Sequence, residues 1–200
     1  MDCAEKQNRQ KIFFANLVSF VFSPLISVNY GLISLIWRSM VRDELAPWQF
    51  LCLLTVFMVI PTAFFLFEVS RGRLDFDLME KKERFRFYIF CLGCGFLGLN
   101  LTYYFSQDLF RLLLIFTFTG LVFAVTTFWD KASLHVGSLT SVYLVLNLFN
   151  RGRFFYFLPI IPLVGWSRVF LEKHSLSQVL EGVIIPGLII PAGLLLFKII

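Results

Sequence analysis

Seven stretches of the chain carry little besides Phe, Leu, Ile, Val and other apolar residues, at roughly 13–37, 48–68, 87–105, 109–129, 135–150, 154–167 and 179–197. A helix needs about 20 consecutive apolar residues to cross the hydrocarbon core of a bilayer. The apolar residues cluster in runs and do not alternate with polar ones, which is the pattern of membrane-spanning helices. Only 16% of the 200 residues are charged, against about a quarter in a soluble domain. The expected fold is therefore all-α, a polytopic transmembrane helical bundle of six or seven spans. The fifth and sixth stretches are short, so they either extend into flanking polar residues or pack as buried helices. Pro24, Pro61, Pro159, Pro162, Pro186 and Pro191 lie inside stretches, where neighbouring groups can satisfy the freed backbone.

No Pro/Gly/Ser linker, low-complexity tract or internal repeat divides the sequence, which reads as one integral membrane domain over 1–200. The polar start MDCAEKQNRQK lacks the pattern of a signal peptide. Sorting the polar segments by parity places 12 of the 18 Lys and Arg on one face and 6 on the other. The richer face is expected to be cytoplasmic, in a cell membrane. The net charge of +5 suits anionic lipid surfaces or phosphorylated substrates, and equally a protein that only follows the charge rule. No nucleic-acid partner is expected. Cys91 and Cys94 form C-x-x-C inside an apolar run; with no second pair and no nearby His, they read as small packing residues before metal or redox ligands.

The chain has only two histidines, His135 and His174. Two stretches separate them, so parity puts both on the same face, each near the start of an apolar helix. Free N–H groups and partial positive charge at helix N-termini attract anions. Arg84, Lys131 and Arg168 gather on that face, and Ser133 adds a hydroxyl and an N–H. These residues are the elements of a pocket for a tetrahedral oxyanion, with an arginine fork matching two phosphate oxygens. One neutral imidazole can attack phosphorus while the other protonates the departing oxygen, and this chemistry requires neither metal nor cofactor.

The same residues resemble the type-2 phosphatidic acid phosphatase superfamily, which includes vanadium-dependent haloperoxidases and bacterial acid phosphatases. Its third motif is S-R, five residues, H, three residues, D, three residues, G. Ser167, Arg168, His174, Gln178 and Gly182 keep every spacing, with Gln in place of Asp. Its second motif, P-S-G-H, is similar to Ala132-Ser133-Leu134-His135. Its first, K, six residues, R-P, is matched at Arg84, with Asp77 and Phe85 in place of Lys and Pro. WDKASLH and LDFDLMEKKER look like a prokaryotic branch of the family that carries Gln in its third motif. The resemblance covers roughly 70–185. It implies a phosphatidic acid phosphatase type 2-like core and a lipid phosphate or polyprenyl diphosphate substrate. It also implies that His174 is the nucleophile, that His135 is the acid and then the base, and that Arg168, Arg84, Lys131, Ser133 and the backbone at Leu134 hold the phosphoryl oxygens. Gln178 would orient His174 without supplying charge.

Two other readings stay open. Asp75, Asp77, Glu80 and Glu83 form an acidic run that could hold Mg²⁺ and a diphosphate, as in membrane prenyl- or alcohol phosphatidyltransferases, although no facing carboxylate cluster is evident. The bland reading of the run is a solvated loop paired with nearby Lys and Arg. The third possibility is a membrane protein that binds lipid phosphate without turnover.

Overall fold

The computed structural model describes residues 3–42, 45–75 and 80–199. Among these all regular secondary structure is helical, with no strand. The first apolar stretch becomes two helices, α1 (Cys3–Val21) and α2 (Pro24–Val41). Pro24 cannot donate a backbone hydrogen bond, so it starts a helix more readily than it continues one. The second stretch runs as α3 (Pro47–Leu54), a π-turn (Thr55–Val59) and α4 (Ile60–Ser70). At the end of the π-turn, the Ile60 N–H reaches back to the Thr55 carbonyl. The next residue, Pro61, has no N–H to offer Phe57, and a π-turn is a common adjustment to such a gap.

The remaining elements are α5 (Lys81–Phe105), α6 (Gln107–Thr126), α7 (Leu134–Phe149), a 3₁₀ turn (Phe155–Phe157), α8 (Ile160–Phe170) and α9 (Leu176–Leu196). Five segments among the described residues are long and apolar enough to cross a membrane: Gln7–Val41, Pro47–Ser70, Lys81–Phe105, Gln107–Thr126 and Leu176–Leu196. The protein is a membrane protein on this evidence of length and composition. Of the six or seven expected spans, the fifth and sixth correspond to the shorter apolar segments Leu134–Phe149 and Phe155–Phe170.

The chain clusters into two compact units, each assembled from separated segments: Met1–Val28 with Ala132–Gly187, and Asn29–Lys131 with Leu188–Ile200. In the first unit, α1, α7, α8 and the start of α9 share a core of Val18, Val136, Ile161, Val164 and Val179. A Cβ at Gly165 would meet Val179 at 2.8 Å, so glycine lets α8 and α9 approach closely. In the second unit, α5 and α6 meet where Gly95 faces Thr117, and Gly98 leaves room for the Phe57 ring of the π-turn. The Phe64 and Phe90 rings stack at 3.8 Å between centroids. The buried carboxylate of Glu68 is held by Arg86 at 3.1 Å and Arg73 at 3.4 Å.

Candidate functional site

The first unit carries six of the eight candidate site residues. Helix α8 delivers Arg168 in its last turn and then stops, because Glu172 adopts a left-handed conformation with φ 56°. The reversal sends the N–H groups of Lys173 and His174 to the same acceptor, the Arg168 carbonyl, at 3.0 and 3.3 Å. Backbone geometry thus joins the arginine to the histidine six positions later. The Arg168 side chain is almost fully buried and donates from Nη1 to Ser19 Oγ at 2.6 Å. A guanidinium keeps its charge at any relevant pH, so burial demands oriented acceptors around it. Ser19 comes from α1, 149 residues earlier in the chain.

His174 is buried, and its Nδ1 lies 3.0 Å from Gln178 Oε1. An amide oxygen only accepts, so Nδ1 carries the proton and the neutral ring has its lone pair on Nε2. The same Oε1 accepts the Ser175 N–H at 3.3 Å, and Ser175 Oγ in turn accepts the Gln178 N–H at 3.3 Å. These reciprocal bonds form a capping box at the start of α9. Gln178 therefore closes the helix end and fixes the imidazole with one oxygen.

Ser133 is the N-cap residue of α7, in extended conformation. Its N–H donates to the Gln178 carbonyl at 2.9 Å, and its own carbonyl accepts the Gly137 N–H at 2.9 Å. The Ser133 hydroxyl does not cap the helix; it is fully buried and has no hydrogen-bond partner among the described residues. Leu134 is half-buried, and His135 is buried in the first turn. Helix α9 can lie this close to the start of α7 because residue 182 is glycine. A Cβ there would stand 2.7 Å from the Ser133 carbonyl oxygen and 3.3 Å from the Gly137 nitrogen.

The structure thus brings Arg168, His174 and Gln178 into one turn, and binds that turn to the Ser133-Leu134-His135 helix start. Arg84 and Lys131 belong to the second unit. Arg84 is buried on α5, and the Lys131 N–H is held by Asp130 Oδ1 at 2.6 Å. In the acidic run, the Glu83 carboxylate accepts the Asp75 N–H at 3.0 Å, which is a loop-closing role. Asp77 lies outside the described residues. Among the described residues, no three His, Cys, Asp or Glu side chains are grouped to hold a metal ion. Glu172, the nearest carboxylate in sequence to His174, is exposed at the reversal.

Sequence reasoning missed two residues of this arrangement and the physical reason for a third. Ser175 had a legible signal, since S-x-x-Q before an apolar run is a capping box. Gly182 was matched by spacing without its physical reason, the close approach of two helices. Ser19 carries no local signal. Comparison with protein-family models, with curated proteins and with solved structures gives no match for this chain.

Proposed function

We propose that the protein is a metal-independent phosphatase of the cell membrane, acting on a lipid phosphate monoester or diphosphate through a phosphohistidine. The observation that carries this reading is the 2.9 Å bond from the Ser133 N–H to the Gln178 carbonyl. It couples the turn holding His174 and Arg168 to the helix start holding His135, although the two motifs are distant in sequence.

In the proposed reaction, Gln178 holds the proton on Nδ1 of His174, and the Nε2 lone pair attacks phosphorus. The N–P bond forms as the P–O bond to the leaving group breaks, which is the lipid alcohol of a monoester or the lipid monophosphate of a diphosphate, and His135 gives its proton to the departing oxygen. His135 then takes a proton from water as the water oxygen attacks phosphorus and the N–P bond breaks. Phosphate leaves, and both histidines return to their starting states. Arg168, the Ser133 hydroxyl and the N–H groups at the start of α7 stabilise the phosphoryl oxygens as charge moves between them. Because Gln178 supplies no charge to the imidazolium, turnover is slower than a carboxylate in its place would give. The excess of basic residues on the histidine face supports a cytoplasmic orientation for it.

The test is phosphate release by the purified protein from phosphatidate and from a polyprenyl diphosphate, with and without EDTA. Release that EDTA leaves intact, that vanadate inhibits and that His174→Ala abolishes is the expected result. Full activity of His174→Ala, or its loss with EDTA, would overturn the assignment.

A further inference from the structure

Helix α7 carries three buried side-chain oxygens without a hydrogen-bond partner among the described residues: Ser133 Oγ, Thr140 Oγ1 and Asn147 Oδ1. They are spaced by seven residues, which returns each to the same helix face within about 20°. Along the axis they cover about 21 Å at 1.5 Å per residue. Ser133 and Thr140 are at least 97% buried.

A hydroxyl in an apolar helix ordinarily turns back to a carbonyl one turn earlier. The neighbours of Thr140 do so: Ser138 donates to the His135 carbonyl at 3.3 Å and Ser141 to that of Gly137 at 2.7 Å. Ser167 and Thr119 behave in the same way, each at 2.8 Å. Thr140 has this option and does not take it. The Asn147 amide nitrogen donates to the Tyr143 carbonyl at 3.3 Å, which leaves its oxygen as the unused group. Polar groups held within membrane helices face the bundle interior or a hydrated passage, and they mark pathways.

One end of this row is Ser133, at the histidine site. The other lies beside the polar turn from Asn150 to Arg153, where Gly152 donates its N–H to the Asn147 carbonyl at 2.8 Å. We propose that Ser133, Thr140 and Asn147 line a hydrated seam along α7, which carries water from the 150–153 turn to the histidines. The use of that water rests on the phosphatase reading. A lipid alcohol still seated at the mouth of a buried site blocks water from that side, and the phosphohistidine needs a second supply. The seam itself is independent of turnover.

The experiment replaces the four native cysteines, Cys3, Cys52, Cys91 and Cys94, with alanine in the full chain. It then compares modification of Thr140→Cys and Val142→Cys by the small water-soluble reagent 2-aminoethyl methanethiosulfonate. Val142 is buried on the opposite face of α7. A hydrated seam makes Thr140→Cys react at least about tenfold faster, because only a solvated thiol ionises readily; equal rates would overturn the proposal. Thr140→Val provides a second measurement. If water satisfies the hydroxyl, the substitution gives no gain in Tm. If the hydroxyl is dry and unpaired, removing it raises Tm, and that rise would also overturn the proposal. Neither readout depends on phosphatase activity.

Discussion

Replacing Gly182 by alanine puts the contact between α7 and α9 to a direct test. The added Cβ stands 2.7 Å from the Ser133 carbonyl oxygen, where ordinary contact begins at 3.4 Å, a shortfall of about 0.7 Å. The oxygen cannot simply swing aside, because it accepts the first backbone bond of α7 from Gly137 at 2.9 Å. The helices must separate instead. Added to the 2.9 Å bond from Ser133 to the Gln178 carbonyl, the same displacement gives about 3.6 Å, beyond hydrogen-bond range. Overpacking costs about 1–3 kcal/mol, and the lost bond about 1 kcal/mol. Alanine returns about 1 kcal/mol of helix propensity, so the expected net loss is about 1–3 kcal/mol. Gly187, on the same helix, has nothing within 4 Å of an added Cβ. Gly187→Ala should therefore show only the propensity gain, and the two alanines should shift Tm in opposite directions. Thermal unfolding followed by tryptophan fluorescence in detergent gives both values. Under the proposed function, a shift of this size between the histidine-bearing segments lowers phosphate release by about 10²-fold. A Gly182→Ala protein that melts at or above the parent temperature would refute the packing argument.

Two further predictions concern the turn between α8 and α9. Glu172→Gly removes the strain of a left-handed non-glycine residue and should raise stability by about 1 kcal/mol, without changing the rate; a lower Tm would contradict this. Gln178→Leu should lose about 1 kcal/mol with the capping box, and about 10²–10⁴ in phosphate release with the imidazole's orientation. Gln178→Glu keeps the box, adds the missing charge and should release phosphate faster than the parent; a slower Glu variant would show that charge was not what the site lacked.

Much of the architecture was legible because the bilayer imposes a coarse rule on sequence. Continuous apolar runs became helices, and the runs flagged as short became the two short segments. The break before Pro24 follows from the missing N–H of proline, but the choice between kink and break depends on neighbours the sequence does not name. The π-turn at Thr55–Val59 was hidden for the same reason. At the site, the spacing of Ser167, Arg168, His174, Gln178 and Gly182 was readable because all lie within two adjacent elements. The partnership of Arg168 with Ser19 was not, since nothing in a serine of an apolar helix marks which distant cation it will meet. The division into two units was equally invisible, because neither is a continuous stretch of chain.

That bond between Ser19 and Arg168 has a consequence for biogenesis. A ribosome delivers α1 first and α8 only after most of the chain has been made, so the opening helix must persist in the membrane without its counterpart. Residues 29–131 of the other unit are contiguous and can begin to assemble during that interval. Both units therefore close late: the histidine-bearing one once residues 132–187 have been made, and the other once 188–200 follow.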